Sequence, residues 1–127
     1  MIKQITVKTS KRNEFIDITS QVQDLIGGVS EGVVTVFVPH TTTGITINEN
    51  ADPDVPRDIL KKLEQMIPQQ DNYSHMEGNS DAHIKASLFG SSVSVIVQDS
   101  RLLLGTWQSI FFCEFDGPRT RKFYVQS

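Results

Sequence analysis

The chain has three histidines, and each lies in a segment rich in Gly, Ser, Thr, Asn or acidic residues. His75-Met76-Glu77-Gly78-Asn79-Ser80-Asp81-Ala82-His83 holds two of them beside two acids, and Val38-Pro39-His40-Thr41-Thr42-Thr43-Gly44 holds the third. Neutral imidazole is the commonest metal ligand and titrates, when unperturbed, near neutral pH. Three imidazoles meeting at one ion would leave an open position for water or substrate, as catalytic zinc sites require. His40, His75 and His83 are therefore candidate metal ligands. Glu49, Glu77 and Asp81 are candidates for a fourth ligand, a hydrogen-bonding partner or a general base. Neither HExxH nor the deaminase pairing of His-x-Glu with Pro-Cys-x-x-Cys is present. Residue types and spacing leave two readings open: a metal site, or separate polar histidines bonded within their own turns.

The elements that must carry these residues follow from periodicity. Ile5 and Val7 alternate with polar neighbours as in a strand, and Phe15-Ile16-Asp17-Ile18 is a second short run. Thr19 or Ser20 is expected to cap a short helix through Val22, Leu25 and Ile26, stopped by Gly27-Gly28. Gly32–Val38 is rich in β-branched residues and reads as a strand covered on both faces. His40 follows at its end, and Gly44–Glu49 forms the next strand. Asp52 or Asp54 could cap a helix over Val55–Ile67, with Ile59 and Leu63 in its buried stripe and Arg57, Asp58, Lys61, Lys62 and Glu64 facing water. Ser80 is the expected cap of a third helix ending at Gly90. That places His83 in its first turn, with His75 and Glu77 in the loop before it. A helix N-terminus offers free N–H groups suited to phosphate or carboxylate, and the same field gives Asp81 a structural role as a dipole partner.

The last third reads as β structure: Val93–Gln98, a tight turn at Asp99-Ser100, Arg101–Leu104, a long strand over Trp107–Phe115, and a final strand containing Phe123 and Val125. Cys113 lies among phenylalanines and reads as a small core residue. The expected fold class is α+β: a single compact domain over residues 1–127, largely antiparallel sheet with two to three helices.

Composition narrows the function classes. Twelve basic and fifteen acidic residues give a formal net charge of −3, which argues against nucleic-acid binding, since that normally needs a basic face. One cysteine excludes an intrachain disulfide. No apolar run approaches the roughly 20 residues of a membrane span, and the N-terminus lacks the apolar segment of a signal peptide. A cytoplasmic location without a membrane partner is the expectation.

Several segments together resemble the YjbQ family, whose members are often called secondary thiamine-phosphate synthase enzymes. They are His40-Thr41-Thr42-Thr43-Gly44, Asn48-Glu49-Asn50-Ala51-Asp52, His75-x-Glu77-Gly78-Asn79, Ala82-His83, Leu104-Gly105-Thr106-Trp107-Gln108 and Glu114-x-Asp116-Gly117-Pro118-Arg119-x-Arg121. The resemblance runs in order from about Val33 to Arg121. One departure is Gln98-Asp99-Ser100, where a glycine turn would be expected. The resemblance implies a small α+β domain assembled as a homotrimer, with a histidine-rich metal-binding pocket formed by His40, His75 and His83. It also implies a weak ability to join a pyrimidine pyrophosphate to a thiazole phosphate. Such chemistry needs a divalent ion, zinc or, for a pyrophosphate substrate, magnesium. Thr41, Thr42, Asn79 and Arg119 are the expected phosphate contacts, with Glu77 and Glu49 the catalytic acids. Arg121 reads as an exposed charge of a hairpin.

Three functions fit these residues: a metal-dependent enzyme on a small phosphorylated substrate, a metal-assisted hydrolase, and a non-catalytic metal- or ligand-binding trimer. The residues add their own argument for assembly. Trp107, Ile110, Phe111, Phe112 and Phe115 make both faces of the long strand apolar, and few helices are available to cover the second face. The competing expectation is that the Val55–Ile67 helix covers it within one chain.

Overall fold

The computed structural model describes residues 1–127. The order is β1 (Ile2–Lys8), β2 (Glu14–Asp17), α1 (Thr19–Leu25), β3 (Gly32–Phe37), β4 (Thr43–Glu49), α2 (Asp54–Met66), α3 (Ser80–Phe89), β5 (Ser92–Gln98), β6 (Arg101–Leu102), β7 (Gln108–Glu114) and β8 (Thr120–Gln126). The strands form a five-stranded sheet, β1-β8-β3-β5-β6, and a three-stranded sheet, β2-β7-β4. Every pairing is antiparallel. This is the α+β class that the periodicities predict.

Strand β7 explains how the layers stack. Its alternate residues Ile110 and Phe112 enter the main core with Val34 and Val36 of β3, Val95 and Val97 of β5, and Phe123 and Val125 of β8. The intervening Phe111 and Cys113 join Phe115, Ala82 and Ala86 in a second cluster, against which Phe15, Leu63 and Phe89 pack. The three-stranded sheet is thus a middle layer, with the five-stranded sheet on one side and α2 and α3 on the other. Period-2 alternation lets one strand serve two cores. The helices cover β7 within the chain, so its apolar second face gives no argument for assembly. Trp107 precedes the strand and is exposed. Cys113 is a core residue whose thiol burial pushes well above its ordinary pKa.

Capping departs from expectation. Neither Thr19 nor Ser20 caps α1: the helix begins at Thr19, whose hydroxyl donates to Asp17 Oδ1 and accepts the Ile110 N–H, while the same Asp17 oxygen accepts the Thr19 N–H. Nor does Ser80 cap α3. That helix begins at Ser80 itself, and the Asn79 carbonyl accepts the Ala82 and His83 N–H groups. Gly90 closes it as expected, at φ 85° with its N–H on the Ala86 carbonyl. The Asp99-Ser100 turn has φ of 51° and 63°, so two non-glycine residues occupy the left-handed region usually given to glycine. No helix is long and apolar enough to cross a membrane.

Candidate functional site

Three segments converge at one end of the middle layer: the β3–β4 loop, the loop and first turn leading into α3, and the β7–β8 hairpin. Close backbone approaches hold them there. A Cβ on Gly44 would lie 2.7 Å from the Phe89 Cβ, so β4 meets the end of α3 only because residue 44 has no side chain. Likewise a Cβ on Gly117 would run into the Lys11 carbonyl, where the hairpin crosses the β1–β2 loop.

A cavity of about 350 Å³ opens between these segments. The β3–β4 loop lines it with Thr41 and Thr42, the α3 approach with His75, Glu77, Asn79 and His83, and the hairpin with Arg119 and Arg121. No apolar side chain contributes. The His75 and His83 rings stand 5.4 Å apart at 89°. Glu77 Oε2 lies 3.8 Å from His75 Nε2, on a carboxylate that is 72% exposed.

Arg121 corrects the sequence reading, because it is 8% exposed and lines the cavity. It shares strand parity with Phe123 and Val125, so β8 turns it inward with the core residues. Its Nε and Nη2 donate to the two oxygens of Glu114 at 2.8 and 2.6 Å, and Nη2 also donates to Thr42 Oγ1 at 2.8 Å. Its remaining nitrogen, Nη1, makes no hydrogen bond within the chain. Glu114 is fully buried and also accepts from the Thr9 hydroxyl and the Asp116 N–H. Such a fork holds the arginine in one orientation, which a surface charge would not have. Arg119 is half-exposed and pairs with Asp116, and Asn79 Nδ2 donates to the same Asp116 oxygen. That leaves Asn79 Oδ1 buried without a partner. A buried acceptor left unpaired costs about 1–3 kcal/mol unless a ligand or water satisfies it.

A second cavity, about 520 Å³, lies beside the first and shares Thr41 and His83 with it. Its other lining residues are His40, Thr43, Ala86, Ser87, Gly90 and Ser91. Thr43 Oγ1 is also buried without a partner. A third cavity, about 400 Å³, shares His75 and His83 and adds Tyr73, Ser74, Ser80 and Ile84. His83 thus forms part of the wall of all three.

The histidines therefore divide. His75 and His83 face each other, whereas His40 reaches the group only through the cavity it shares with His83. His40 Nε2 lies 3.0 Å from the Lys122 N–H nitrogen and 3.1 Å from the Lys122 carbonyl oxygen, accepting from one or donating to the other according to tautomer. Nδ1 remains for another partner. Burial, aided by the nearby Arg121 charge, lowers the His40 pKa below its ordinary value. No three His, Cys, Asp or Glu groups are arranged as a ligand set around one point. Glu49 lies apart from the cavities, because β4 runs away from Thr43 and carries it six residues on, roughly 20 Å at strand rise.

Asp81 lies in the first turn of α3, as the dipole reading expects, but its partners give it a larger role. It is fully buried on the face of α3 turned from the cavities, and Arg12 from the β1–β2 loop takes both its oxygens at 2.9 Å. Lys85, also fully buried, donates to Asp81 Oδ2 at 3.2 Å and to Glu64 of α2 at 3.1 Å. Burial alone would raise the Asp81 pKa, but the hydrogen bonds from Arg12 and Lys85 outweigh it and hold it below the ordinary carboxylate value. Glu64, expected to face only water, belongs to this cluster.

A family model described as UPF0047 protein YjbQ-like matches residues 3–127. A UPF0047 protein of Methanocaldococcus jannaschii is 54% identical over 128 residues, covering 99% of this chain and 93% of that protein. UPF0047 protein YugU of Bacillus subtilis is 51% identical over 129 residues, covering 99% and 98%. The crystal structure of a YjbQ/UPF0047-family protein from Clostridium acetobutylicum superimposes with a TM-score of 0.96 at 56% identity, covering 98% of each chain. A YbjQ-like protein from Sulfolobus solfataricus gives 0.94 at 33% identity, covering 98% and 94%. With sequence and backbone agreeing along nearly its whole length, the chain belongs to the YjbQ (UPF0047) family.

Proposed function

We propose that the chain is a metal-dependent enzyme acting on a small phosphorylated molecule in the wholly polar cavity beside His83. The observation that carries this reading is the meeting, in that one cavity, of two facing imidazoles with a fixed arginine whose Nη1 has no partner. The donor types, imidazole with carboxylate or amide oxygen, suit a borderline divalent ion such as zinc, though no three of the side chains surround one point until a ligand draws them in. Magnesium, the alternative, would rely on the oxygen donors. His75 and His83 would hold it, with Glu77 or the unpaired Asn79 Oδ1 completing the set, and His40 Nδ1 the third imidazole to recruit. When bound, the ion would supply Lewis-acid stabilisation of charge building on phosphate oxygens. Arg121, supported by Arg119 and the Thr41 hydroxyl, would hold those oxygens in place. Glu77, open to water, would take the proton from the attacking group.

Thiamine-phosphate synthesis, the activity attached to the resemblance, is the named candidate reaction. Hydrolysis of a phosphoester is the second reading, and the exposure of Glu77 favours it, since an incoming water reaches that carboxylate freely. Elemental analysis of purified protein, followed by turnover assays with both thiamine precursors and with simple phosphoesters, tests these readings. Metal content near one ion per chain and turnover on either panel support the enzyme. Bound metal with no turnover on either points to a binding protein.

Self-association as a homotrimer is proposed with it, on a different surface from the one the sequence suggests. The outer face of the five-stranded sheet leaves Ile2, Val33, Phe37 and Ile96 at 67, 57, 42 and 56% exposure. Val33 pairs across strands with Ile96, and Phe37 stacks on Tyr124 at 6.5 Å. Burying this face between copies would remove these apolar side chains from water, together with the Ser94, Thr35 and Gln126 row that runs between them. Light scattering checks it against the 14.2 kDa single chain, and a monomer mass at micromolar concentration would overturn it.

A further inference from the structure

The cavity of Thr43 lies next to the phosphate cavity and has a different chemistry. Thr41, Thr43, Ser87 and Ser91 bring four hydroxyl groups to its wall, His40 and His83 add imidazoles, and no acid, lysine or arginine lines it. Ala86 is its one apolar side chain. The Ser87 hydroxyl donates to the His83 carbonyl, while Thr43, 1% exposed, keeps a hydroxyl with no partner at all. Buried hydroxyls in native proteins are almost always paired, so an orphan on the wall of a cavity marks a position where a ligand group or water completes the bond. The absence of charged side chains sets the character of that group: uncharged, with both donors and acceptors. Thr41 and His83 belong to both cavities, so a single molecule can extend from one into the other.

We infer that the Thr43 cavity is a second subsite of the same centre and receives the uncharged, hydroxyl-bearing part of the ligand whose phosphoryl group lies at Arg121. The substrate class is then a phosphoester of a polyhydroxyl carrier, such as a sugar phosphate, which goes with the phosphoester reading and not with the aromatic thiamine precursors. The inference rests on the proposed phosphate site. It adds that the carrier is recognised, and that Thr43 and Ser91 recognise it. Gly44 lets the end of α3 approach β4 closely enough to shape this wall, and Gly90, at φ 85°, turns the chain out of the helix there.

The experiment measures binding by titration calorimetry of inorganic phosphate, glycerol 1-phosphate, ribose 5-phosphate and glucose 6-phosphate to purified protein, with divalent ion present. At least one phosphoester is expected to bind roughly tenfold tighter than inorganic phosphate. Thr43→Val keeps the shape and deletes the hydroxyl. It should weaken that phosphoester roughly three- to tenfold, the range for one lost hydrogen bond, and leave inorganic phosphate unchanged. Ser91→Ala should act in the same direction. Thermal melting of Thr43→Val should match or exceed wild type, because the variant removes an unpaired hydroxyl. If phosphate binds but no phosphoester is tighter, or if Thr43→Val and Ser91→Ala leave the preference intact, the subsite is overturned while the phosphate site stands. If none of the four probes binds, both fall.

Discussion

Glu114 and Asp81 are both fully buried carboxylates gripped by an arginine fork, one from β8 and the other from the β1–β2 loop. In the first pair the arginine is itself nearly buried, lines the polar cavity and keeps one nitrogen unused. In the second the acid is shared by Arg12 and Lys85, and Lys85 continues to Glu64, so the charges close among themselves across α2, α3 and the β1–β2 loop. The same motif thus appears once as an aimed cation and once as a clamp. Burial of an ion pair does not distinguish the two. The presence of an unused donor at a cavity wall does.

The largest expected effect is on the clamp. Asp81→Ala takes away the acid that Arg12 and Lys85 share, leaving buried Lys85 with Glu64 alone, and should cost about 3–5 kcal/mol, the range for breaking a buried pair from one side. Urea unfolding measures it, and a loss below about 1 kcal/mol would return Asp81 to a mere dipole partner. Glu77 stands outside both pairs and is mostly exposed. Glu77→Gln should lower turnover by about a hundredfold or more if it acts as general base, with stability within about 0.5 kcal/mol of wild type. Unchanged turnover would show that the chemistry lies with other groups.

The aimed cation gives a smaller effect. Arg121→Lys keeps the charge but loses the fork, and should weaken phosphate binding by about tenfold. Arg119→Gln should weaken it by only about threefold, since an exposed pair contributes little. A reversal of that order would move the anchor to Arg119. The smallest effect is the pH dependence near neutrality. The folded His40 pKa lies below the ordinary 6.5, so in the window between the two values the unfolded chain binds a proton that the folded chain does not. Stability from His40 is therefore fully present above about pH 6.5 and is lost as pH falls through that window. His40→Gln should flatten the stability profile there in urea titrations. Asp81 acts with the same sign lower down, its contribution present above the ordinary 3.8 and lost as pH falls below it.

Local patterns made most of the fold legible. Alternation located β4, β5, β7 and β8, and Gly90 closed α3 where a helix stop was expected. The β-branched run located β3 but not its surroundings, since only one face is covered and Val33 and Phe37 stand open on the other. Strand parity, applied to Arg121 and Glu114 as it was to Phe123 and Ile110, would also have turned both charges inward. The Arg12–Asp81 contact had no local signal, because it joins residues 69 positions apart. The cover that α2 and α3 give to β7 was equally non-local, being a matter of layer stacking. Glu49 shared an acidic segment with the site motifs, yet strand rise carried it away from the cavities.

The two sides of β7 are unequally insured against opening. Fourteen buried residues tie the sheets together, whereas five make the seam beneath α3, two of them alanines on that helix. Segments held by fewer apolar contacts open at lower free energy than the global transition. The α3 amides are therefore expected to exchange with deuterium before those of β7 and β8. Asn79 and His83 would then loosen together while Arg121 stays fixed, so the polar cavity has one stationary wall and one that breathes, and bound ligand should slow exchange mainly along α3.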